Sequence, residues 1–260
     1  MTALDHLNDD HALLLQSVRE AGDIARKFFD EGAKSWDKNP GDPVTEADLA
    51  VNEHLRRKLC GDRPEYGWLS EETEDDLSRL DRRRVWIVDP IDGTRAFMAG
   101  RPEFTICAGL VEDGRPILGA VFNPITQEFF DAVKGRGARC NGEALKTPDG
   151  VSLGTARLLA SQRALERRQG VGQLPQAQFR FINSIAYRMA LVALDRFDAT
   201  ISLAKKSDWD IAAAELIVTE AGGCAAAPDG SAFTYNRPNA QHAGVIAAGP
   251  TLFREILDRL

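Results

Sequence analysis

Leu14, Val18, Ala21, Ala25 and Phe28 recur at alternating steps of four and three residues, the spacing of one face of an α-helix, and Gly32 supplies a stop. The pattern predicts an amphipathic helix with its stripe turned to a core. Residues 34–43 are polar and read as a loop. Thr45-Glu46-Ala47-Asp48 then has the form of a helix cap, and Val51, Leu55 and Leu59 carry one face onward. Val85-Trp86-Ile87-Val88 reads as a buried strand that ends at Asp89, because Pro90 has no N–H to give to a ladder. Residues 104–111, 117–122 and 128–133 have strand composition and are parted by the turn signals Glu112-Asp113-Gly114 and Asn123-Pro124, which predicts an antiparallel meander. Residues 135–142 read as a further turn. From Val151 strands and helices alternate: strand 158–160, helix 184–194, strand 199–201, helix 209–221 and strand 245–247. The expected class is α/β, with an α+β lobe over residues 1–150 and an α/β lobe over residues 151–260.

Composition narrows the class. Of 260 residues 43% are hydrophobic, enough for a sizeable core without staples, and no apolar run approaches the roughly 20 residues of a membrane span. A net charge of −7 argues against a nucleic-acid polymer or an anionic membrane as partner. Cys60, Cys107, Cys140 and Cys224 are scattered with no CxxC pair, and the first residues lack a basic segment followed by an apolar one. These features predict a cytoplasmic protein with reduced thiols.

The chemistry concentrates at Asp89-Pro90-Ile91-Asp92-Gly93-Thr94, where two carboxylates lie three residues apart at the mouth of a strand. Gly93 permits a sharp turn, and a helix entered at Gly93-Thr94 would present free backbone N–H groups to a phosphate. Acids beside an anion site need a cation. Oxygen ligands with no nearby His or Cys favour Mg²⁺, or Mn²⁺, over zinc.

Two further signatures accompany this hexapeptide: Leu69-Ser70-Glu71-Glu72 upstream, and Trp209-Asp210-Ile211-Ala212-Ala213 with Glu220-Ala221-Gly222-Gly223 downstream. Together they resemble the inositol monophosphatase superfamily of metal-dependent, lithium-sensitive phosphomonoesterases, in the family's order and over nearly the whole chain. The resemblance implies a layered αβαβα sandwich acting on a small phosphorylated metabolite, as a monomer or homodimer. It also implies a metal-ligand set of Glu71, Asp89, Asp92, Asp210 and the carbonyl of Ile91. Glu71 and Thr94 would orient and activate water, with Asp48 holding the Thr94 hydroxyl, while Gly93, Thr94, Asp92 and Asp210 would contact substrate. On residue chemistry alone, Asp48 and Asp210 read as helix caps, Trp209 as a packing anchor, and Glu71 and Glu72 as part of a solvated acidic run.

The substrate is read from finer detail. Leu69 and Ser70 before the paired acids, and Glu103-Phe104-Thr105, look like bacterial 3′(2′),5′-bisphosphate nucleotidases, whereas Arg95-Ala96-Phe97 looks like histidinol-phosphate phosphatases. Inositol enzymes commonly carry an acid seven residues before the Trp-Asp aspartate, and that position here is Leu203. Lys205 or Lys206 could then meet a second phosphate, with Lys205 assigned to substrate. The expected activity is release of the 3′-phosphate of adenosine 3′,5′-bisphosphate, the alternatives being inositol 1-phosphate and histidinol phosphate. Two other classes are weighed. Gly150-Val151-Ser152-Leu153-Gly154, with Asp210 and His242, has the order of a serine hydrolase triad but lacks the apolar strand before the serine. A non-catalytic binding protein on the same fold would not require Glu71, Asp89, Asp92, Thr94 and Asp210 all to be present.

Overall fold

The computed structural model describes residues 3–166 and 177–260. Helix α1 (Ala3–Glu31) buries Leu14, Val18, Ala21 and Ala25 completely against Val51, Leu55 and Leu59 of α2 (Glu46–Asp62) and the sheet beneath. The stretch between them is not a loop. β1 (Ser35–Asn39) and β2 (Asp42–Thr45) pair antiparallel, with Trp36 opposite Val44. Every residue of β1 is exposed, so the hairpin carries no alternating apolar signal and is held by its backbone ladder.

The larger sheet has seven strands in the order β3 (Gly67–Ser70), β4 (Arg84–Asp92), β5 (Thr105–Glu112), β6 (Arg115–Asn123), β7 (Glu128–Val133), β8 (Ala138–Cys140) and β9 (Glu143–Ala144). β3 and β4 run parallel and the later pairs antiparallel, so the meander forms as expected. Residues 135–142 are two tight turns around the short β8 rather than one.

β4 also departs from its expected end. Asp89 lies opposite Cys107 and Asp92 opposite Thr105, so three steps on β4 match two on β5 and the strand bulges at Pro90 and Ile91 before pairing resumes. Pro90 has no donor, and the Ile91 N–H turns to Asp89 Oδ1 at 3.0 Å. Residues three apart on a regular strand face opposite sides of a sheet. One extra residue reverses that parity and turns both carboxylates the same way. α3 (Thr94–Met98) follows at once through Gly93.

The second sheet has five strands, in the order β11 (Gln178–Arg180), β10 (Arg157–Ala160), β12 (Ala199–Ser202), β16 (Val245–Ala248) and β14 (Cys224–Ala226). β10 runs parallel to β11 and β12, whereas β16 runs antiparallel to β12 and β14. A two-stranded ladder, β13 (Lys206–Ser207) with β15 (Gln241–His242), stands apart. α5 (Ile185–Ala193) and α6 (Asp208–Glu220) pack against both sheets and form one core between them. Leu165 of α4 (Gln162–Glu166) and Leu252 and Ile256 of α7 (Pro250–Leu257) cover the outer face of the second sheet. The layers are therefore helix, sheet, helix, sheet, helix. Among the described residues no helix is long and apolar enough to cross a membrane.

α6 sits close to the larger sheet because β6 offers no side chain at Gly119. A Cβ there would lie 2.6 Å from the Ala213 carbonyl oxygen, inside contact distance. Gly119→Ala should lift α6 and cost about 1–3 kcal/mol, seen as a melting temperature lower by roughly 3–10 °C. A value within about 1 °C of the parent would contradict the close approach.

Candidate active site

The bulge of β4 and the first turn of α6 converge on one point. Asp89, Asp92 and Asp210 each bring a carboxylate oxygen within 4.8 Å of the other two. Asp89 and Asp92 are 1% and 6% exposed, and among the described residues no Lys, Arg or His pairs directly with any of the three. Burial consequently sets their titration. It raises Asp89 well above the carboxylate range, with the Glu71 charge adding to it. Burial also pushes Asp210 up to about 6, opposed by the Lys206 charge. Asp92 is raised by burial as well, although Ser184 Oγ at 2.6 Å and the N–H groups of Ala186 at 2.7 Å and Ile185 at 3.2 Å all donate to it. Asp92 thus caps the start of α5 from 93 residues away in sequence.

Glu71 follows β3, where its N–H meets the Val88 carbonyl at 3.3 Å and ties the loop to β4. It lines a cavity of about 260 Å³ with Gly93, Thr94, Arg95, Asp42 and Asn183. Glu71 stands outside the group of three carboxylates, and burial pushes it up to about 8, opposed by Lys38 and reinforced by the charges of Glu72 and Asp210. Lys38, on β1, lies 3.5 Å from Glu71 and 2.6 Å from Glu72. Glu72 is accordingly no solvated acid, its side chain being 3% exposed. The exposed hairpin concealed Lys38, and Ser184 showed only as the first residue of an expected helix.

Thr94 Oγ1 has two acceptors for its one proton, Asp48 Oδ1 at 3.3 Å and the Ile91 carbonyl at 3.1 Å. Asp48 does cap α2, in a reciprocal box with Thr45, and burial pushes it up to about 6. Capping and contact with Thr94 are the same carboxylate's work. The Ile91 side chain points away from the site into the α1–α2 core. Gly93 has φ of 102°, and a Cβ on it would lie 3.1 Å from the Glu103 carbonyl and 3.2 Å from the Ser184 nitrogen. Only glycine fits this turn.

Asp210 is the third residue of α6 and, as Asp48 does in α2, completes a capping box, here with Ser207. It accepts the Ser207 N–H at 2.6 Å, and Trp209 packs against the central core. Leu203 and Lys206 line a second cavity, of about 460 Å³, whereas Lys205 is exposed and outside that lining. The serine hydrolase arrangement is absent among the described residues. Ser152 caps a 3₁₀ turn, and His242 pairs with Asp208 at 2.8 Å rather than with Asp210. Gly135 to Cys140 belongs to the β7–β8 hairpin.

Buried carboxylates without cationic partners, offering oxygen alone, suit a hard divalent cation. The residues present therefore fit the metal that the motifs call for.

The inositol monophosphatase family profile matches residues 8–257. The chain is 33% identical to inositol monophosphatase 2 of Solanum lycopersicum over 84% of this chain and 87% of the relative. It is 34% identical to the inositol-1-monophosphatase of Rhizobium meliloti over 81% of this chain and 82% of that protein. Among solved structures, an inositol monophosphatase from Zymomonas mobilis superposes with a TM-score of 0.81 at 31% identity, covering 100% of this chain and 99% of the other.

Proposed function

This chain belongs to the inositol monophosphatase family and is a phosphoric monoester hydrolase, and from that premise we propose that it releases the 3′-phosphate of adenosine 3′,5′-bisphosphate. Held by Asp89, Asp92, Asp210, Glu71 and the Ile91 carbonyl, Mg²⁺ or Mn²⁺ would neutralise the phosphate, favour ionisation of water and stabilise the leaving oxygen. The chain's own groups do the rest. The one hydroxyl proton of Thr94 is directed to Asp48 or to the Ile91 carbonyl, so its oxygen is left to accept from the attacking water. Glu71, which lines the same cavity as Thr94, takes that water's proton. The amides of Gly93 and Thr94 receive the phosphate, and Asp210 faces the leaving oxygen. Residues 1–150 would supply Glu71, Asp89, Asp92 and Thr94, and residues 151–260 Asp210 and the groups that select substrate.

One observation favours a nucleotide over a polyol. The cavity of about 460 Å³ that holds Leu203 and Lys206 has Ile185, Ile201 and Phe181 in its wall and no carboxylate among the described lining residues. Polyol hydroxyls need acceptors. With Asn183, Ser161 and Ser202 there but no carboxylate, selection for inositol weakens by roughly 1–3 kcal/mol, while an apolar wall with a cation suits a base and a second phosphate. In one Mg²⁺ buffer, kcat/KM for adenosine 3′,5′-bisphosphate should exceed that for inositol 1-phosphate by at least about tenfold. The reverse preference would overturn the substrate and leave the hydrolase class standing. The relatives' names support inositol 1-phosphate as the second reading, and Arg95-Ala96-Phe97 keeps histidinol phosphate in the same comparison.

A further inference from the structure

α5 carries one charged residue. Arg188 stands four positions after Ser184, whose hydroxyl holds Asp92, so it lies one turn along the same face of the helix. It is 5% exposed, yet among the described residues no carboxylate pairs with it. Its Nε donates to the Ile182 carbonyl, and its guanidinium carbon lies 4.3 Å over the ring of Phe181. Among the described residues neither contact engages its terminal nitrogens in a hydrogen bond. Arg188 and Phe181 line the cavity of about 460 Å³ together with Lys206, Asn183 and Ser202.

A buried guanidinium without a counter-ion is costly, and burial indeed lowers its pKa to about 10, opposed by the charge of Asp92. The fork geometry of its free nitrogens matches phosphate or carboxylate in bidentate fashion, which an ammonium does not. The aromatic beneath fixes the plane of the fork. Lys206 adds a second cation on the side nearer Asp92 and Asp210, for both of which it is a charge partner. Asn183 lines both this cavity and the smaller one that holds Glu71, Gly93 and Thr94, so a cationic cavity with an apolar wall adjoins the acidic site where an ester is cut.

We propose that Arg188, seated on Phe181, is the anchor for a second anionic group of the substrate, carried on the part that departs when the ester is cleaved. The inference rests on the nucleotide reading for the identity of that part but not for the anion. The leaving portion spans the cavity with its second phosphate on Arg188 and its body against Leu203 and Ile201. A monoester lacking the second anion leaves the guanidinium uncompensated.

The test compares substrates that differ only in the second phosphate. For the wild-type protein, kcat/KM for adenosine 3′,5′-bisphosphate should exceed that for adenosine 3′-phosphate by at least about tenfold, carried by KM. In Arg188→Gln this ratio should fall to within about threefold of unity, and Arg188→Lys should retain an intermediate ratio. Phe181 is 58% exposed, so Phe181→Ala keeps the fold and, by freeing the fork, should lower the ratio about threefold. It carries the test if Arg188→Gln does not fold. A wild-type ratio near unity, or a ratio unchanged in the variants, overturns the inference. If neither nucleotide is cleaved, the nucleotide reading falls by itself, and inositol 1,4-bisphosphate against inositol 1-phosphate puts the same question to Arg188.

Discussion

Asp89→Asn should cut turnover at least about a hundredfold in saturating Mg²⁺, while the protein's melting temperature in EDTA stays level or rises. The two expectations have one cause. Asp89 is 1% exposed, and its carboxyl is raised by burial and then by the charges of Glu71, Asp92 and Asp210. Asparagine has the same volume, and its Oδ1 still accepts the Ile91 N–H that shapes the bulge. The fold therefore loses a buried charge and little packing. A cation site loses one of its charges and an oxygen that binds it strongly. Asp210→Asn should behave alike, since its amide oxygen can keep the Ser207 N–H. Phosphate release by each variant, with a thermal melt of the same sample, checks both halves. Near-normal turnover would remove these residues from the metal site, and a melting temperature lowered by more than about 5 °C would show a structural role instead.

These carboxylates are legible in the chain because each stands in a short motif whose chemistry is local: a proline that interrupts a ladder, a glycine that turns, an acid in the first turn of a helix. The bulge is less so. Pro90 announces an interruption, but whether pairing resumes beyond it depends on Thr105 across the sheet. The parity that aligns Asp89 with Asp92 is thus a property of two strands. Lys38 was hidden for a different reason, since β1 is exposed on both faces and has no apolar period to reveal it. Of two adjacent lysines, Lys206 opens β13 and Lys205 precedes it, and the chain alone does not say which one meets the cavity. The structure gives Lys206 to the cavity and leaves Lys205 outside. Arg188 did leave a signal. A single arginine among the apolar residues of a helix buried along its whole length must have something to face, and here that is a cavity.

Removing the metal should abolish activity and also invert the protein's dependence on pH. In excess EDTA the repelling carboxylates are left to protons. Burial raises the folded-state pKa of Glu71 to about 8 and of Asp48 and Asp210 to about 6, and lifts Asp89 and Asp92 as well. An acid whose folded pKa lies above its unfolded value, about 4 here, stabilises the fold below that value and loses its contribution as pH rises through the folded pKa. The metal-free protein should therefore melt at least about 5 °C lower at pH 8.5 than at pH 5, because each kcal/mol lost moves the midpoint by roughly 2–4 °C. A divalent cation replaces the protons and is held more strongly as they leave. Mg²⁺ should then raise the melting temperature more at pH 8.5 than at pH 5, and its binding at pH 7 should release protons, measurable by titration calorimetry in buffers of different ionisation enthalpy. Full phosphatase activity in EDTA would refute metal dependence outright. A flat melting profile from pH 5 to 8.5 in EDTA would show instead that Lys38 and Lys206 already balance the cluster without a metal.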